Sequence, residues 1–164
     1  MPKVMGRAIN KTATSGKVEI ARRIGSKVNI KQGSIKTKIT KDKATYTRWQ
    51  AVLGISKKRI SLISFKGTSQ TKKGVRYKID TSGARKLVPS AFIEAPRRTG
   101  VKGVLKRMTE SRYPLAWLRG PSLGEVFEGA VGIAKEVVES THKKLERNID
   151  DQIKYVLTKR KAVA

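Results

Sequence analysis

Around residues 6–28 the apolar positions Met5, Ile9, Ala13, Ile20, Ile24 and Val28 recur at three- to four-residue steps with one gap, and Lys and Arg fill the spaces between them. That period predicts an amphipathic helix with a basic outer face. Gly16 and Gly25-Ser26 weaken the pattern and predict a frayed or broken end. Asn29 to Thr40 supports two readings. Ile30, Ile35 and Ile39 suit a short helix, whereas Ile35-Lys36-Thr37-Lys38-Ile39 alternates as a strand does.

From Lys43 to Leu118 the period falls to two. Ala44 to Leu53, rich in aromatic and β-branched residues, reads as a strand, and Ile60 to Phe65 as another. Lys66 to Lys73, closing at Gly74, reads as a polar hairpin loop or flexible arm. Val75-Arg76-Tyr77-Lys78-Ile79 alternates apolar and basic positions. Ser90–Ala95, Val104–Met108 and Leu115–Leu118 complete the set. Short strands between Gly, Pro and polar turns predict a curved, mostly antiparallel sheet.

The last element carries the clearest signals. Pro121 precedes Ser122-Leu123-Gly124-Glu125, an S-x-x-E capping box, in which the Ser side chain accepts from a free backbone N–H and the Glu reaches back. An apolar stripe follows: Val126, Phe127, Ala130, Val131, Ala134, Val137, Val138, Thr141, Leu145, Ile149, Ile153 and Val156. Glu125 and Glu128 lie in the first turns and Lys159, Arg160 and Lys161 follow the end, which complements the helix dipole. Gly129 and Gly132 predict an early break into two pieces. At ~35 residues the element would span roughly 50 Å, more than a lean domain covers, so part of the stripe is expected to pack on another subunit. The resulting class is α+β in one domain: a basic helical region over 1–41, a sheet region over 42–120 with a polar loop at 66–74, and a long C-terminal helix with a basic tail over 121–164.

Composition sharpens this. The 164 residues include 38 Lys and Arg against 12 Asp and Glu, a net charge of +26, and 38% are hydrophobic. Residues 1–93 hold 23 basic and three acidic side chains, a net of +20, whereas 122–157 come to −2. Self-repulsion at that density favours an anionic partner for the front half. The chain lacks cysteine and has one histidine, His142, which excludes disulfides, thiol catalysis and Cys- or His-rich zinc sites. No apolar run reaches the ~20 residues a membrane-spanning helix needs, and Met1-Pro2-Lys3-Val4 opens no signal peptide.

Catalytic constellations do not emerge. The carboxylate pairs Glu125/Glu128 and Asp150/Asp151 fit helix capping or a solvated helix face better than acid–base work. His142, flanked by Lys143 and Lys144, reads as exposed. The 67–74 stretch lacks the strand-to-helix setting of a phosphate cradle. No cofactor or metal is expected. Tyr46, Trp49 and Tyr77 stand among basic residues and could stack bases, although aromatics on alternating strands more often face a core. Arg22, Arg23, Lys27 and Lys31, with Lys72 and Lys73, are candidate contacts to an anionic partner.

Three stretches in order carry a resemblance. Arg7-Ala8-Ile9-Asn10-Lys11-Thr12-Ala13 comes first. Ser69-Gln70-Thr71-Lys72-Lys73-Gly74-Val75 follows and continues through Val88-Pro89-Ser90-Ala91-Phe92-Ile93. Arg107 with Arg112-Tyr113-Pro114-Leu115, then Gly120-Pro121-Ser122, completes the series. Together, over about residues 7–150, the chain resembles the minor tail protein Z family of long-tailed bacteriophages, also called tail completion proteins. That family carries a further helical stretch before Ala-Ile-Asn, where this resemblance starts almost at Met1, and commonly has Gly where Ser90 stands.

The resemblance implies a non-enzymatic virion protein of the tail or neck, assembled in the host cytoplasm. It would form a ring, a hexamer, at the head-proximal end of the tail and mediate head–tail joining. Its implied partners are copies of itself, the connector, the tail terminator and the tail tube, with genome DNA passing through the lumen and no membrane. Pro89, Ala91, Phe92, Arg112, Tyr113, Pro114, Gly120, Pro121, Ser122 and Glu125 would then be structural, fixing strand ends and the approach to the long helix. The competing reading is a basic nucleic-acid-binding protein of ribosomal or nucleoid type. On the tail reading the charge serves mainly to meet acidic neighbouring proteins.

Overall fold

In a computed structural model of the chain, residues 2–96, 100–129 and 132–161 are described. Helix α1 runs over Pro2–Lys27 and a short helix α2 over Gln32–Thr37. Neither glycine breaks α1, contrary to the expectation from propensity. Gly16 is buried where α1 meets Leu53 and Thr141, and Gly25 faces Gln32 and Ile35 of α2, so each glycine marks a close approach of another element. Of the two readings of 29–40 the helix is realised: Ile35 to Thr37 lie in α2 rather than in a strand, and strand β1, Ile39–Asp42, begins only after the turn at Lys38. Between the helices, Val28 and Ile30 form isolated antiparallel bridges to Asp80 and Phe65, and the Asn29 side-chain amide donates to the Lys66 carbonyl at 2.8 Å.

The strands are short and fall into four small antiparallel sheets rather than one curved sheet. β1 pairs with β2 (Val52–Ile55). β3 (Arg59–Ser61) runs into a 3₁₀ turn at Leu62–Ser64. β4 (Ser69–Thr71), β5 (Gly74–Tyr77) and β6 (Lys86–Pro89) form one triplet, in the order β4-β5-β6. β7 (Ala91–Glu94), β8 (Gly103–Arg107) and β9 (Leu115–Trp117) form the other, with β8 central. β10 (Arg119–Ser122) pairs back with β3.

Several expectations are corrected here. Residues 44–51 are not a strand: β2 begins only at Val52, and 43–51 form a loop. The expected polar loop at 66–74 contains β4, which hairpins onto β5. β6 and β10 end or centre on Pro and Gly, residues that read as turn signals, yet both strands pair on one side only, where a missing N–H is tolerated.

The chain then enters α3 (Leu123–Gly129) and α4 (Ile133–Lys161). The Ser122 N–H donates to Glu125 Oε2 at 2.9 Å and the Glu125 N–H to Ser122 Oγ at 3.1 Å, the reciprocal capping box expected from sequence. Gly132, with φ 96°, separates the two helices, so the expected break occurs. Ala130 and Val131 of the stripe lie outside the described residues. The basic residues expected beyond the helix lie within its last turns, since α4 extends to Lys161.

One cluster joins Ile20, Ile24 and Val28 of α1, Ile35, Ile39, Ile60, Phe65, Val75 and Val104, and Leu123, Ile133 and Val137 of the C-terminal helices. Val4, Ala8 and Ala13 are buried outside it, along the N-terminal half of α1. There α1 lies antiparallel on α4, so much of the α4 stripe is covered by the chain's own first helix rather than by a second subunit. Thr141, Leu145, Ile149 and Val156 are half-buried, whereas Val138 and Ile153 stay exposed.

Two backbone positions test this packing. Gly120 is buried, and a Cβ there would sit 2.8 Å from Cζ of the buried Phe65 ring. Gly120→Ala is therefore expected to lower unfolding free energy by about 1–3 kcal/mol in a urea titration. Ser90 holds φ 61°, the left-handed region. Ser90→Gly removes that strain while adding freedom to the unfolded chain, so a gain of roughly 0.5–1 kcal/mol is expected in the same titration.

Candidate functional site

The two long helices are held by polar contacts as much as by apolar ones. Asn148 is buried on α4, and its side-chain amide donates to Thr12 Oγ1 at 2.8 Å. The Thr12 hydroxyl in turn donates to the Ala8 carbonyl at 2.9 Å. One turn and more further along, Lys144 donates to Glu19 at 3.2 Å and Arg23 Nε donates to the same carboxylate at 3.3 Å. Arg23 also reaches Glu136, and Lys11 stands 3.7 Å from Asp151. Arg23, read from sequence as a contact for an anionic partner, is thus engaged inside the chain. Arg22, Lys27 and Lys31 are exposed, and none of them has an ion-pair partner among the described residues. Lys72 and Lys73 are exposed on the β4–β5 turn.

The Lys144 hydrogen bond holds the Glu19 carboxyl below its usual range; burial pushes the other way and Arg23 adds to the lowering. Ion pairs with exposed partners contribute little individually. Their use here is to fix the register of one helix along the other.

The remaining sequence-predicted residues divide between strand ends and a groove. Pro89 ends β6 opposite Gly74, Ala91 is buried at the start of β7, and Gly120, Pro121 and Ser122 build β10 up to the Glu125 cap. Phe92, Arg112, Tyr113 and Pro114 instead line an open groove of about 1150 Å³, together with Leu115 and Trp117. The Arg107 guanidinium lies 5.8 Å from the centre of the Phe92 ring, and that of Arg112 lies 5.9 Å from the Tyr113 ring. Tyr113 is 66% exposed. Ile93, next to Phe92, donates its N–H to Gln70 Oε1 at 2.9 Å, tying β7 to β4.

A second surface holds Tyr46 and Trp49, singled out in the sequence as a candidate stacking surface but on a strand. The loop over 43–51, expected as strand, projects from the β1–β2 hairpin with residues 45–50 all exposed. Its root is fixed: Asn10 of α1 accepts the Ala44 N–H at 2.9 Å and donates to the Ala44 carbonyl at 3.0 Å. Its tip is a turn in which the Thr45 N–H donates to the Arg48 carbonyl at 2.9 Å and the Trp49 indole N–H donates to the Tyr46 carbonyl at 3.0 Å. Tyr46 is 66% and Trp49 54% exposed, whereas Tyr77 packs against the core. The signal that could have located this arm is Asn10, whose side chain fits both hydrogen-bonding groups of one residue's backbone.

Among the described residues no group of three or more His, Asp or Glu side chains could hold a metal ion. His142 is exposed on α4. No described helix is long and apolar enough to cross a membrane. The described residues present an aromatic arm, an aromatic–guanidinium groove and a basic surface of which four cations form ion pairs. Compared with known proteins, the chain matches the family described as prophage minor tail protein Z (GPZ) over residues 1–159. No curated protein and no solved structure matches.

The helix pair makes stability pH-dependent in a defined direction. With its folded pKa lowered, Glu19 contributes stability that is full above the ordinary carboxylate value of 4.5 and is lost as pH falls through the folded value. The difference in unfolding free energy between the native chain and Glu19→Gln is expected to stay level near neutral pH and to close on acidification below that value, measured by denaturant titration at each pH.

Proposed function

The chain belongs to the prophage minor tail protein Z family, a family of phage tail structural proteins, and on that premise we propose that it completes the head-proximal end of the tail. On this reading six copies form a ring at the neck, assembled in the host cytoplasm. The ring is stacked between connector and tail tube beside the tail terminator, and it joins head to tail without catalysing a reaction. The observation that carries this reading is the amount of large apolar surface left in water. Tyr46, Trp49, Met108, Tyr113, Tyr155 and Leu157 are each more than half exposed on a chain whose core is lean. Such patches mark surfaces that other proteins cover.

The charge supports the same role. Five ion pairs are formed among the described residues, through four cations, in a chain with 38 Lys and Arg. Most of the +26 is therefore directed outward, where acidic neighbouring rings would neutralise it. Genome DNA crossing the lumen would slide poorly against a strongly attractive wall, so the basic faces are assigned to protein neighbours and the exterior.

The exposed Tyr46 and Trp49 beside Lys43 and Arg48 favour one other reading, a stacking surface for single-stranded nucleic acid. It requires oligonucleotide affinity that falls steeply with salt. A shallow salt slope, or no retention on heparin at low salt, counts against it.

Single-particle reconstruction of assembled tails tests the main reading. One ring of this chain is expected at the upper end of the tail, with acidic surfaces of neighbouring rings against α1. Its absence from purified tails and virions would overturn the proposal.

A further inference from the structure

The arm and the groove are two separate exposed surfaces of the same chain. The arm is rooted on α1 through Asn10 and through Lys41, whose ammonium donates to Thr14 Oγ1 at 2.7 Å. The groove belongs to the separate β7–β8–β9 sheet and the 108–114 loop, and the β1–β2 hairpin pairs with neither triplet of strands. The tip therefore stands free while the groove stands open.

Resting on the ring reading above, we propose that the aromatic arm of one copy, residues 45–50 with Tyr46 and Trp49, seats in the groove at Phe92, Tyr113 and Trp117 of the next copy. The match is chemical as well as apolar. Arg107 and Arg112 each lie over one ring inside their own chain, and the opposite guanidinium face is suited to an incoming indole or phenol ring. Acids are scarce over residues 1–120, where only Glu19, Asp42, Asp80, Glu94 and Glu110 occur. Glu19 is held by Lys144 and Arg23. Glu94 lines the groove and Glu110 stands beside it; both are exposed, and neither has an ion-pair partner among the described residues. The arm brings Lys41, Lys43 and Arg48 against the single acid Asp42. Glu94 and Glu110, beside the groove's own Arg107 and Arg112, are thus carboxylates that the cations of the arm can meet.

A contact that joins one face to a different face of an identical copy is heterologous. It repeats from copy to copy and closes into a ring when the rotation between copies permits. Trp and Tyr entering a desolvated pocket beside Arg are also the residue types that dominate binding energy at interfaces. Because the arm tip makes no core contact, substitutions there should spare the fold.

The chain lacks cysteine, so introduced thiols report only the contact tested. Full-length Gln50→Cys and Ser111→Cys variants, exposed positions beside Trp49 and Tyr113 that keep both rings, are checked for native circular dichroism, then oxidised singly and as a mixture. Thr47→Cys replaces Gln50→Cys should that variant fail to fold. A cross-link between positions 50 and 111 is expected only in the mixture, and a ladder of multimers in the chain carrying both substitutions. Trp49→Ala is expected to raise the dissociation constant of the assembly roughly tenfold or more by light scattering. Assemblies that form without the mixed cross-link, or that cross-link two arms to each other through position 50, overturn the arm-in-groove contact and leave the ring reading standing. Oligonucleotide that protects the thiol introduced at position 50, in a chain giving no mixed cross-link, overturns it in favour of nucleic acid. No assembly of any kind, in the isolated chain or in tails, overturns both.

Discussion

Helix α1 lying antiparallel on α4 is the contact on which the other surfaces depend. It joins the two ends of the chain, it is fixed in register by Asn148 on Thr12 and by Glu19 between Lys144 and Arg23, and it provides the base for everything attached to α1. A helix with charges on its outer face and small residues such as Ala8 and Thr12 on its inner face can approach a partner helix closely. The buried hydrogen bond makes that approach specific, because the buried Asn148 amide without Thr12 would lose its acceptor, at a cost of ~1–3 kcal/mol, whereas the Thr12 hydroxyl keeps its bond to the Ala8 carbonyl. Once α1 is fixed, Asn10 holds Ala44, and the β1–β2 arm acquires a defined direction.

The same contact explains how the charge is distributed. The near-neutral C-terminal segment lends acids to the basic front half: Glu136 and Asp151 of α4 face Arg23 and Lys11 of α1. Five pairs form among the described residues, with partly exposed partners, and those between α1 and α4 align the helices without neutralising the molecule. The charge and the exposed aromatic rings are the surfaces that the proposed contacts would cover, and membership of a phage tail family is consistent with other tail proteins meeting them.

The parts legible from sequence are those in which local chemistry decides the structure. Ser122 and Glu125 form the cap their spacing requires, Gly132 divides the C-terminal helices, and Val75 to Tyr77 alternates as a strand should. Tertiary contacts decided the rest. Thr45 to Trp49 have strand composition but no strand to pair with, so they form the exposed arm. Gly16 reads as a helix breaker, yet it is the residue that lets Leu53 and Thr141 approach α1. Arg119-Gly120-Pro121-Ser122 carries a Gly and a Pro, yet it pairs with β3, and the glycine leaves room for the Phe65 ring. Of the candidate site residues, Pro89, Ala91 and Gly120 to Ser122 lie at strand ends, and Ser122 with Glu125 forms the cap. Phe92, Arg112 and Tyr113 line the groove, which depends on three strands and a loop that no single segment reveals.

Amide hydrogen exchange on the full chain, compared between dilute and assembled states, tests most directly whether this surplus surface serves contact between copies. Slowed exchange is expected together at 45–50 and 108–114 on assembly, with the α1–α4 contact protected equally in both states. Protection confined to the exposed side of α4, with the arm and groove exchanging as freely as in the dilute chain, would contradict it.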